Sequence, residues 1–378
     1  MHLILHDLSP EQARRHLPAQ SETVRWFDAA PSVKPCTGCY GCWTTAPAGE
    51  CVIPDRGQEF CHLLAQAGKL TIVSRCYYGG FSPDVKAVID RHIGYMLPYF
   101  HAYEGEMHHV PRYERRIELA WHLYGDISEA ERETTRRYAA ANERNFHAAS
   151  HTVAFYDCAS ATPGAEERPH AAPASPPVSR VAFINGSPRG DSGVSTKLLK
   201  LLEAKLPGIE IVHGWRAGTA CDAFVFAFPL YVDGIPSNLL RELAAHENDM
   251  PPGARVYALV NNGFYEGTQN ATAIAILRNW SARAGLAWGQ GLGVGAGEIL
   301  QQASLMAMAP FVARGSMKRF DRAMDTLAGH ILAGDGGEDL YHTPDMPPRW
   351  GYMLGGDLSF RLAGKKNGLS KREMKRRL

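Results

Sequence analysis

The sequence predicts an α/β protein with two tandem, doubly wound parallel sheets, each of five strands in the order 2-1-3-4-5. Three observations lead to this fold class. Short apolar runs alternate with amphipathic helical patterns along most of the 378 residues, as in successive βαβ units. A stretch rich in Pro and Ala, residues 159–177, divides this alternation into two similar halves. A local motif also recurs, because Tyr78 precedes Pro83 by five residues and Tyr231 precedes Pro236 by five, which indicates duplication of one fold.

The first predicted domain covers residues 1–158. Its strands are short runs of apolar and β-branched residues, and its helices have an apolar face at helical spacing. Pro83 stands where it can start a helix, because the first helical position does not need an N–H group. We predict strands at 3–6, 24–27, 69–74, 117–121 and 152–156, and helices at 10–17, 56–67, 83–94 and 128–147.

The second predicted domain covers residues 178–315 and follows the linker 159–177, which we expect to be extended and mobile. The same alternation predicts strands at 180–185, 209–213, 223–227, 255–260 and 287–292, and helices at 195–206, 235–245, 270–284 and 300–309. Beyond it we predict a C-terminal extension, 316–378, with an amphipathic helix at 317–334. We expect its basic end, 365–378, to be a solvated, frayed helix.

Composition excludes several function classes. The formal net charge is +1, so no overall field draws the protein to nucleic acid or to a membrane. The longest apolar run, near 223–232, is too short to span a bilayer. The N-terminus opens as a strand without a signal-peptide pattern, so we expect a cytoplasmic protein with no transmembrane segment. Its eight cysteines are then thiols, metal ligands or redox groups rather than a disulfide framework.

The loop after the first strand of the second half is the strongest functional signal. Residues 181–196 run from an apolar strand through a loop of small and polar residues into a helix. The N–H groups and dipole of a helix N-terminus favour an anion there. The loop matches neither the Walker A nor the Gly-x-Gly-x-x-Gly pattern, and its hydroxyl groups suit a phosphate monoester. The predicted phosphate ligands are Ser187, Arg189, Ser192, Ser195 and Thr196.

Two further loops follow the third and fourth strands of this half, at 229–234 and 261–267. In an open α/β sheet, a ligand binds at the carboxyl ends of the strands, beside the point where the strand order reverses. A phosphate at one end of this crevice and a flat, hydrogen-bonding heterocycle at the other describe flavin mononucleotide (FMN). The residues predicted to border the ring system are Pro229, Leu230, Tyr231, Asn262 and Gly263.

Segments 184–190, 228–234 and 262–264 resemble the NAD(P)H-dependent FMN reductases of the flavodoxin-like superfamily. Segments 35–43, 51–53 and 76–91 resemble multimeric NAD(P)H-dependent flavoproteins and iron–sulfur flavoproteins of the same superfamily. The resemblance implies flavodoxin-like domains, FMN, NAD(P)H as co-substrate and two-electron reduction of a quinone-like, flavin or other oxidised small molecule. It implies that Tyr231 stacks on the flavin or donates a proton, and we expect a homodimer with no nucleic-acid partner.

The first half departs from this pattern. Asp7-Leu-Ser-Pro-Glu-Gln follows its first strand, where the family has a phosphate loop. The carboxylates of Asp7 and Glu11 would repel a phosphate, so we predict that the first half binds no FMN of its own.

A cysteine cluster leaves the chemistry of the first half open. Cys36, Cys39, Cys42 and Cys51 have a density of thiols that can hold zinc or an iron–sulfur cluster. They can equally be ordinary reduced thiols in a glycine-containing turn. The alternatives to a reductase are therefore an iron–sulfur flavoprotein that carries electrons through these cysteines, and a non-enzymatic flavodoxin-like binding protein.

Overall fold

The computed structural model describes residues 1–30, 33–156, 178–215, 220–301 and 314–378, with the side chains of 300, 301 and 314–316 left out. The described residues fall into two structural units. Unit 1 contains those up to Tyr156 and those from Met353 to Leu378, and unit 2 contains those from Val178 to Tyr352. The predicted linker, 159–177, lies outside the described residues.

The described part of unit 1 contains a five-stranded parallel sheet. Its strand order is β2-β1-β3-β6-β7, and counting the parallel strands alone this is the predicted order 2-1-3-4-5. The centres of the inner strands β1, β3 and β6 are buried and mostly apolar, as parallel strands covered on both faces require. The strands are β1 (His2–His6), β2 (Val24–Asp28), β3 (Lys69–Arg75), β6 (Glu118–Tyr124) and β7 (Ser150–Tyr156).

Serine caps begin three of the helices in the first 156 residues. Ser9 and Ser128 form capping boxes, and the Ser82 hydroxyl accepts a bond from the first turn of its helix. The helix predicted at 83–94 ends at Asp90, because a 3₁₀ turn, Ile93–Tyr95, follows and leads into a strand. The helices of this part of unit 1 are α1 (Pro10–His16), α2 (Gly41–Thr44), α3 (Gly57–Gln66), α4 (Pro83–Asp90) and α5 (Glu129–Phe146).

Unit 1 also contains an antiparallel hairpin that sequence analysis missed. It pairs β4 (Met96–Tyr103) with β5 (Glu106–Pro111) and forms a separate two-stranded sheet. Glu104 and Gly105 make its turn with φ of 49° and 85°, the left-handed conformation of a tight hairpin turn.

The described part of unit 2 contains a six-stranded parallel sheet instead of the predicted five strands. Its order is β9-β8-β10-β11-β12-β13, which is 2-1-3-4-5 with a sixth strand added at the edge. That strand escaped prediction because it has only three residues, which pair with Leu292–Val294. The strands are β8 (Arg180–Asn185), β9 (Glu210–His213), β10 (Ala223–Pro229), β11 (Arg255–Asn261), β12 (Ala287–Val294) and β13 (Leu340–His342).

The helix predicted at 317–334 is an integral part of unit 2. It buries Phe320, Met324, Leu327 and Ile331 in the core cluster that also contains residues of β8, β10, β11 and β12, so it closes one layer of the fold. Most of the helix predicted at 300–309 lies outside the described residues. The helices of unit 2 are α6 (Val194–Glu203), α7 (Ser237–His246), α8 (Ala271–Arg283), α9 (Glu298–Gln301) and α10 (Arg314–Ala333).

The basic C-terminal end is packed, contrary to the expectation of a frayed tail. Two helices, α11 (Arg349–Lys366) and α12 (Lys371–Met374), occupy it. The side chain of Met374 is almost fully buried in unit 1, and the buried Arg112 guanidinium donates bonds to the carbonyls of Met374 and Arg376. None of the helices in the described part of the chain is long and apolar enough to cross a membrane.

Candidate functional site

The first loop of unit 2 is folded around the side chain of Asn185, the last residue of β8. Its carboxamide oxygen accepts the Ser187 N–H at 3.0 Å, and its amide nitrogen donates to the Thr196 hydroxyl at 2.9 Å. The Ser187 hydroxyl in turn accepts the Arg189 N–H at 3.3 Å. These bonds fix the loop between β8 and α6.

Three of the predicted phosphate-binding hydroxyls donate within the protein. Ser192 donates to the Arg189 carbonyl at 2.9 Å, Thr196 to the Gly190 carbonyl at 3.1 Å and Ser195 to the Asn261 carboxamide at 3.0 Å. We expected these hydroxyls to face an anion. In the structure each of the three hydroxyls has an acceptor of the chain within hydrogen-bond distance and so helps to shape the loop, and their contact with an anion stays a prediction.

The N-terminus of α6 retains donors for an anion. Gly193 is its N-cap residue, and no side chain of the described residues caps the first turn. The helix at the same place in unit 1, α1, has its first turn capped by Ser9. A Cβ at Gly193 would lie 2.6 Å from the Ser187 hydroxyl oxygen, so glycine is the residue that fits this approach. Uncapped N–H groups at the positive end of a ten-residue helix form a site that suits a phosphate.

Arg189 already has an ionic partner. Its Nη1 lies 3.8 Å from Oε1 of Glu298 in α9, and both side chains are partly exposed. A carboxylate beside this guanidinium reduces its attraction for a ligand anion. Sequence analysis missed Glu298, since nothing in its local sequence links it to the first loop.

The second loop is a tight turn after β10. The N–H of Tyr231 and the carbonyl of Gly234 bond at 3.0 Å, and the reverse pair bonds at the same distance. The two central residues, Val232 and Asp233, have φ of 44° and 56°. A β-branched residue is rarely found in this left-handed region. Such strain, on the order of 1–3 kcal/mol per residue, persists only where surrounding structure enforces it, and it clusters at functional sites.

The third loop presents a buried, unsatisfied acceptor. The Asn262 N–H donates to the Val294 carbonyl at 3.1 Å, and its side-chain amide donates to the Glu266 carbonyl at 2.9 Å. Its carboxamide oxygen is buried and has no hydrogen-bond partner among the described residues. The next residue, Gly263, has open space where a side chain would be, and its carbonyl accepts the Tyr352 hydroxyl at 2.8 Å.

Asn261 joins the three loops, which we call the unit 2 crevice (186–196, 229–234 and 261–267). Its side chain accepts the bond from Ser195 in the first helix turn, and its carbonyl accepts the Leu230 N–H at 2.7 Å. Asn238 of α7 adds a bond to the Gly186 carbonyl at 3.2 Å. The structure thus connects the loops that carry Ser195, Leu230 and Asn262. Sequence analysis placed Asn261 in the third loop but did not include it among the predicted site residues, because the sequence does not show its bonds to the other two loops.

The corresponding end of the unit 1 sheet is occupied by a carboxylate of the chain itself. Asp7, directly after β1, accepts bonds from the Arg75 N–H at 3.0 Å, the Ser74 hydroxyl at 3.2 Å and the Tyr124 hydroxyl at 2.9 Å. These donors lie at the carboxyl ends of β3 and β6. With Ser9 capping α1, this edge is satisfied without an added anion.

The repeated turn exists in both units, but one residue away from the register read in the sequence. Tyr77 pairs with Gly80 in unit 1 as Tyr231 pairs with Gly234 in unit 2. Tyr77, and not Tyr78, is therefore the counterpart of Tyr231. The equal spacing from tyrosine to proline aligned the wrong tyrosine, because the two prolines occupy different positions. Pro83 is the first residue of α4, whereas Pro236 is the N-cap of α7.

The structure does not assemble the cysteines into a metal site. Cys36, Cys39, Cys42 and Cys51 are free thiols. Burial raises the pKa of Cys36 to about 12 and that of Cys42 well above its usual value. Within the described residues, no group of three or more His, Cys, Asp or Glu side chains could hold a metal ion.

Comparison with known proteins gives only distant likenesses. No family model matches the chain, and no curated protein matches it. Among solved structures, the Trp repressor binding protein from Bacillus subtilis is similar at 17% identity, covering 34% of this chain and 93% of its own, with a TM-score of 0.26. The azoreductase AzrA is similar at 14% identity, covering 50% of this chain and 100% of its own, with a TM-score of 0.20. Neither likeness carries an assignment for this chain.

Proposed function

We propose that unit 2 binds FMN in the unit 2 crevice and that the chain is an FMN-dependent NAD(P)H oxidoreductase. Its acceptor would be a quinone-like compound, a flavin or another oxidised small molecule. The observation that carries this proposal is the uncapped N-terminus of α6, tied through Ser195 and Asn261 to two further loops at the carboxyl ends of neighbouring strands. A ligand in a doubly wound sheet binds at such an edge.

The phosphate of FMN would be held by the first turn of α6, by Ser187 and by Arg189. Backbone N–H groups suit this role, because they are fixed by the helix and carry its positive dipole end. Ser192, Ser195 and Thr196 would position the loop through their bonds to Arg189, Asn261 and Gly190.

The ring system would lie against Pro229, Leu230, Tyr231, Asn262 and Gly263. The buried Asn262 oxygen supplies an acceptor, and the open space at Gly263 permits close approach of a flat ligand. When bound, FMN supplies hydride acceptance from NAD(P)H and two-electron delivery to the acceptor. Tyr231 is the residue we expect to stack on the ring or to hold a proton beside it.

We infer one FMN per chain, because the Asp7 carboxylate already binds the donors at the matching edge of unit 1. On this view the chain is a tandem flavodoxin-like protein whose first domain has lost its phosphate site. A cytoplasmic location and a homodimeric state belong to the same proposal.

Two assays on the full chain test this function. Fluorescence titration should give one equivalent of bound FMN, and the loaded protein should oxidise NADH or NADPH at a rate that depends on an added quinone. FMN binding without nicotinamide oxidation would leave a binding protein and refute the reductase. Failure to bind FMN at all would refute both parts of the proposal.

A further inference from the structure

The outer face of α11 presents an exposed leucine stripe within unit 1. Leu354, Leu358 and Leu362 are 63%, 53% and 57% exposed. Their four-residue spacing places them along one side of the helix. A single exposed leucine is ordinary on a protein surface, but a row of three on one helix face marks an interaction surface.

The opposite face of α11 is anchored, so the helix cannot turn to bury these leucines. The Phe360 ring packs 5.2 Å from the Trp43 ring. The Asp357 carboxylate accepts the Phe100 N–H at 2.9 Å. Gly356 lies so close to Phe100 that a Cβ there would be 2.6 Å from the ring. The leucine stripe is therefore a fixed feature of the surface.

The chain around the stripe is strongly basic. Residues 353–378 contain eight Lys and Arg against Asp357 and Glu373, whereas the whole chain is nearly neutral with a net charge of +1. Most of these basic side chains are exposed. Lys365 and Lys366 follow Leu362 by three and four residues, and Lys371, Arg372 and Arg376 lie in and beyond α12. Positive charge is thus concentrated beside the apolar stripe.

We propose that this surface, the leucine stripe with residues 365–376, docks on an anionic phospholipid membrane. Leucines on one helix face enter the boundary between headgroups and acyl chains, and neighbouring Lys and Arg bind lipid phosphates. A second copy of the chain is a poor occupant, because a two-fold contact through this face would bring its excess positive charge against itself. The inference does not depend on flavin binding.

Vesicle flotation of the full chain tests the proposal. The protein should float with vesicles of phosphatidylcholine and phosphatidylglycerol, remain unbound with phosphatidylcholine alone, and be released by high salt. Combined Leu354→Gln, Leu358→Gln and Leu362→Gln substitutions should weaken binding by about tenfold or more. The matched control is Leu201→Gln, since Leu201 lies on α6 and is 43% exposed. It should bind like the parent.

Charge and fold are checked separately. Lys365→Glu with Lys366→Glu should also reduce binding to the anionic vesicles, and near-ultraviolet circular dichroism should confirm the fold of every variant. If the triple variant fails to fold, Leu358→Gln alone can be tested for vesicle binding, because an exposed leucine can be replaced without disturbing the core. Absence of vesicle binding by the parent protein would overturn the proposal. The proposal would also be overturned if the triple variant still bound vesicles while light scattering showed half the molecular mass of the parent protein. The leucine stripe would then be a contact between two copies of the chain.

Discussion

At the scale of single residues, the unit 2 crevice depends on side chains whose partners the sequence does not announce. Ser195 and Thr196 were predicted from their type and position, but the sequence does not show that the Ser195 hydroxyl bonds to Asn261 in another loop and the Thr196 hydroxyl to Gly190 in the same loop. Sequence analysis could therefore find the loop and its donors. It could not separate the groups that bind a ligand from those that hold the loop.

Arg189 and Glu298 give a pair of opposite predictions. Arg189→Ala should weaken FMN binding by roughly 1.5–3 kcal/mol, because a charge-assisted bond to the phosphate is lost. Glu298→Gln should strengthen it, because the carboxylate 3.8 Å from Arg189 no longer competes with the ligand. Fluorescence titration of FMN measures both.

The matched control for this pair is Arg180→Ala, which removes another arginine of unit 2 paired with a carboxylate, Glu210. It lies at the start of β8, away from the carboxyl edge of the sheet, and should leave the FMN affinity unchanged. If Arg189→Ala and Arg180→Ala lost FMN affinity equally, Arg189 would act only through the net charge of the protein and not through a bond to the phosphate.

His92 predicts the acid sensitivity of unit 1. Burial lowers the pKa of His92 from 6.5 to about 4, so between these pH values the unfolded chain binds more protons than the folded one. The stability held by the neutral ring is complete above pH 6.5 and is lost as the pH falls toward 4, on the order of 3 kcal/mol.

Thermal unfolding of the parent protein, measured between pH 6.5 and 4, should show this loss of stability. The loss of stability should be smaller in His92→Phe, which keeps an aromatic ring beside Phe60 and Phe146. An unchanged pH dependence in that variant would place the acid sensitivity elsewhere.

At the scale of elements, ten of the eleven parallel strands of the described residues were predictable from short runs rich in apolar and β-branched residues. The elements that were missed have weaker local signals. The three residues of β13 become a strand only through pairing with Leu292–Val294. Helix α11 carries apolar residues on two faces, since Phe360 packs inward while Leu358 faces solvent. The sequence therefore shows no single apolar stripe that identifies the face packed against unit 1.

Gly193→Ala tests the entrance to α6. The added Cβ would come within 2.6 Å of the Ser187 oxygen, and displacing Ser187 would disturb the bond it accepts from Arg189. We expect FMN affinity to fall about tenfold, or roughly 1.4 kcal/mol, with the fold retained in circular dichroism.

Gly329→Ala is the control for that substitution, because Gly329 lies in α10 with open space where its Cβ would be. It should bind FMN like the parent. Full affinity in Gly193→Ala would show that the close approach of Gly193 to Ser187 is irrelevant to binding.

At the scale of the whole molecule, the two sheets have related strand orders but present different chemical groups at the carboxyl ends of their strands. In unit 2 the edge presents N–H groups that no described side chain caps and an Asn262 oxygen with no partner among the described residues. In unit 1 the Asp7 carboxylate and the Ser9 cap satisfy the matching edge. The charge at Asp7 is visible in the sequence, which therefore predicted that this edge repels a phosphate, and the absence of FMN from unit 1 stays a prediction. The sequence did not predict that the basic C-terminus packs into unit 1, since that contact depends on Arg112, far away in the chain.

The central claim is that the N-terminus of α6 holds the phosphate of a flavin. The most direct measurement compares the affinities of the full chain for FMN and riboflavin, which differ only in that phosphate. Two charge-assisted bonds of roughly 1.5–3 kcal/mol each predict that FMN binds at least about a hundredfold more tightly. Gly193→Ala and Arg189→Ala should each lower the ratio of FMN affinity to riboflavin affinity. Equal affinity for the two flavins, or binding of neither, would contradict the account.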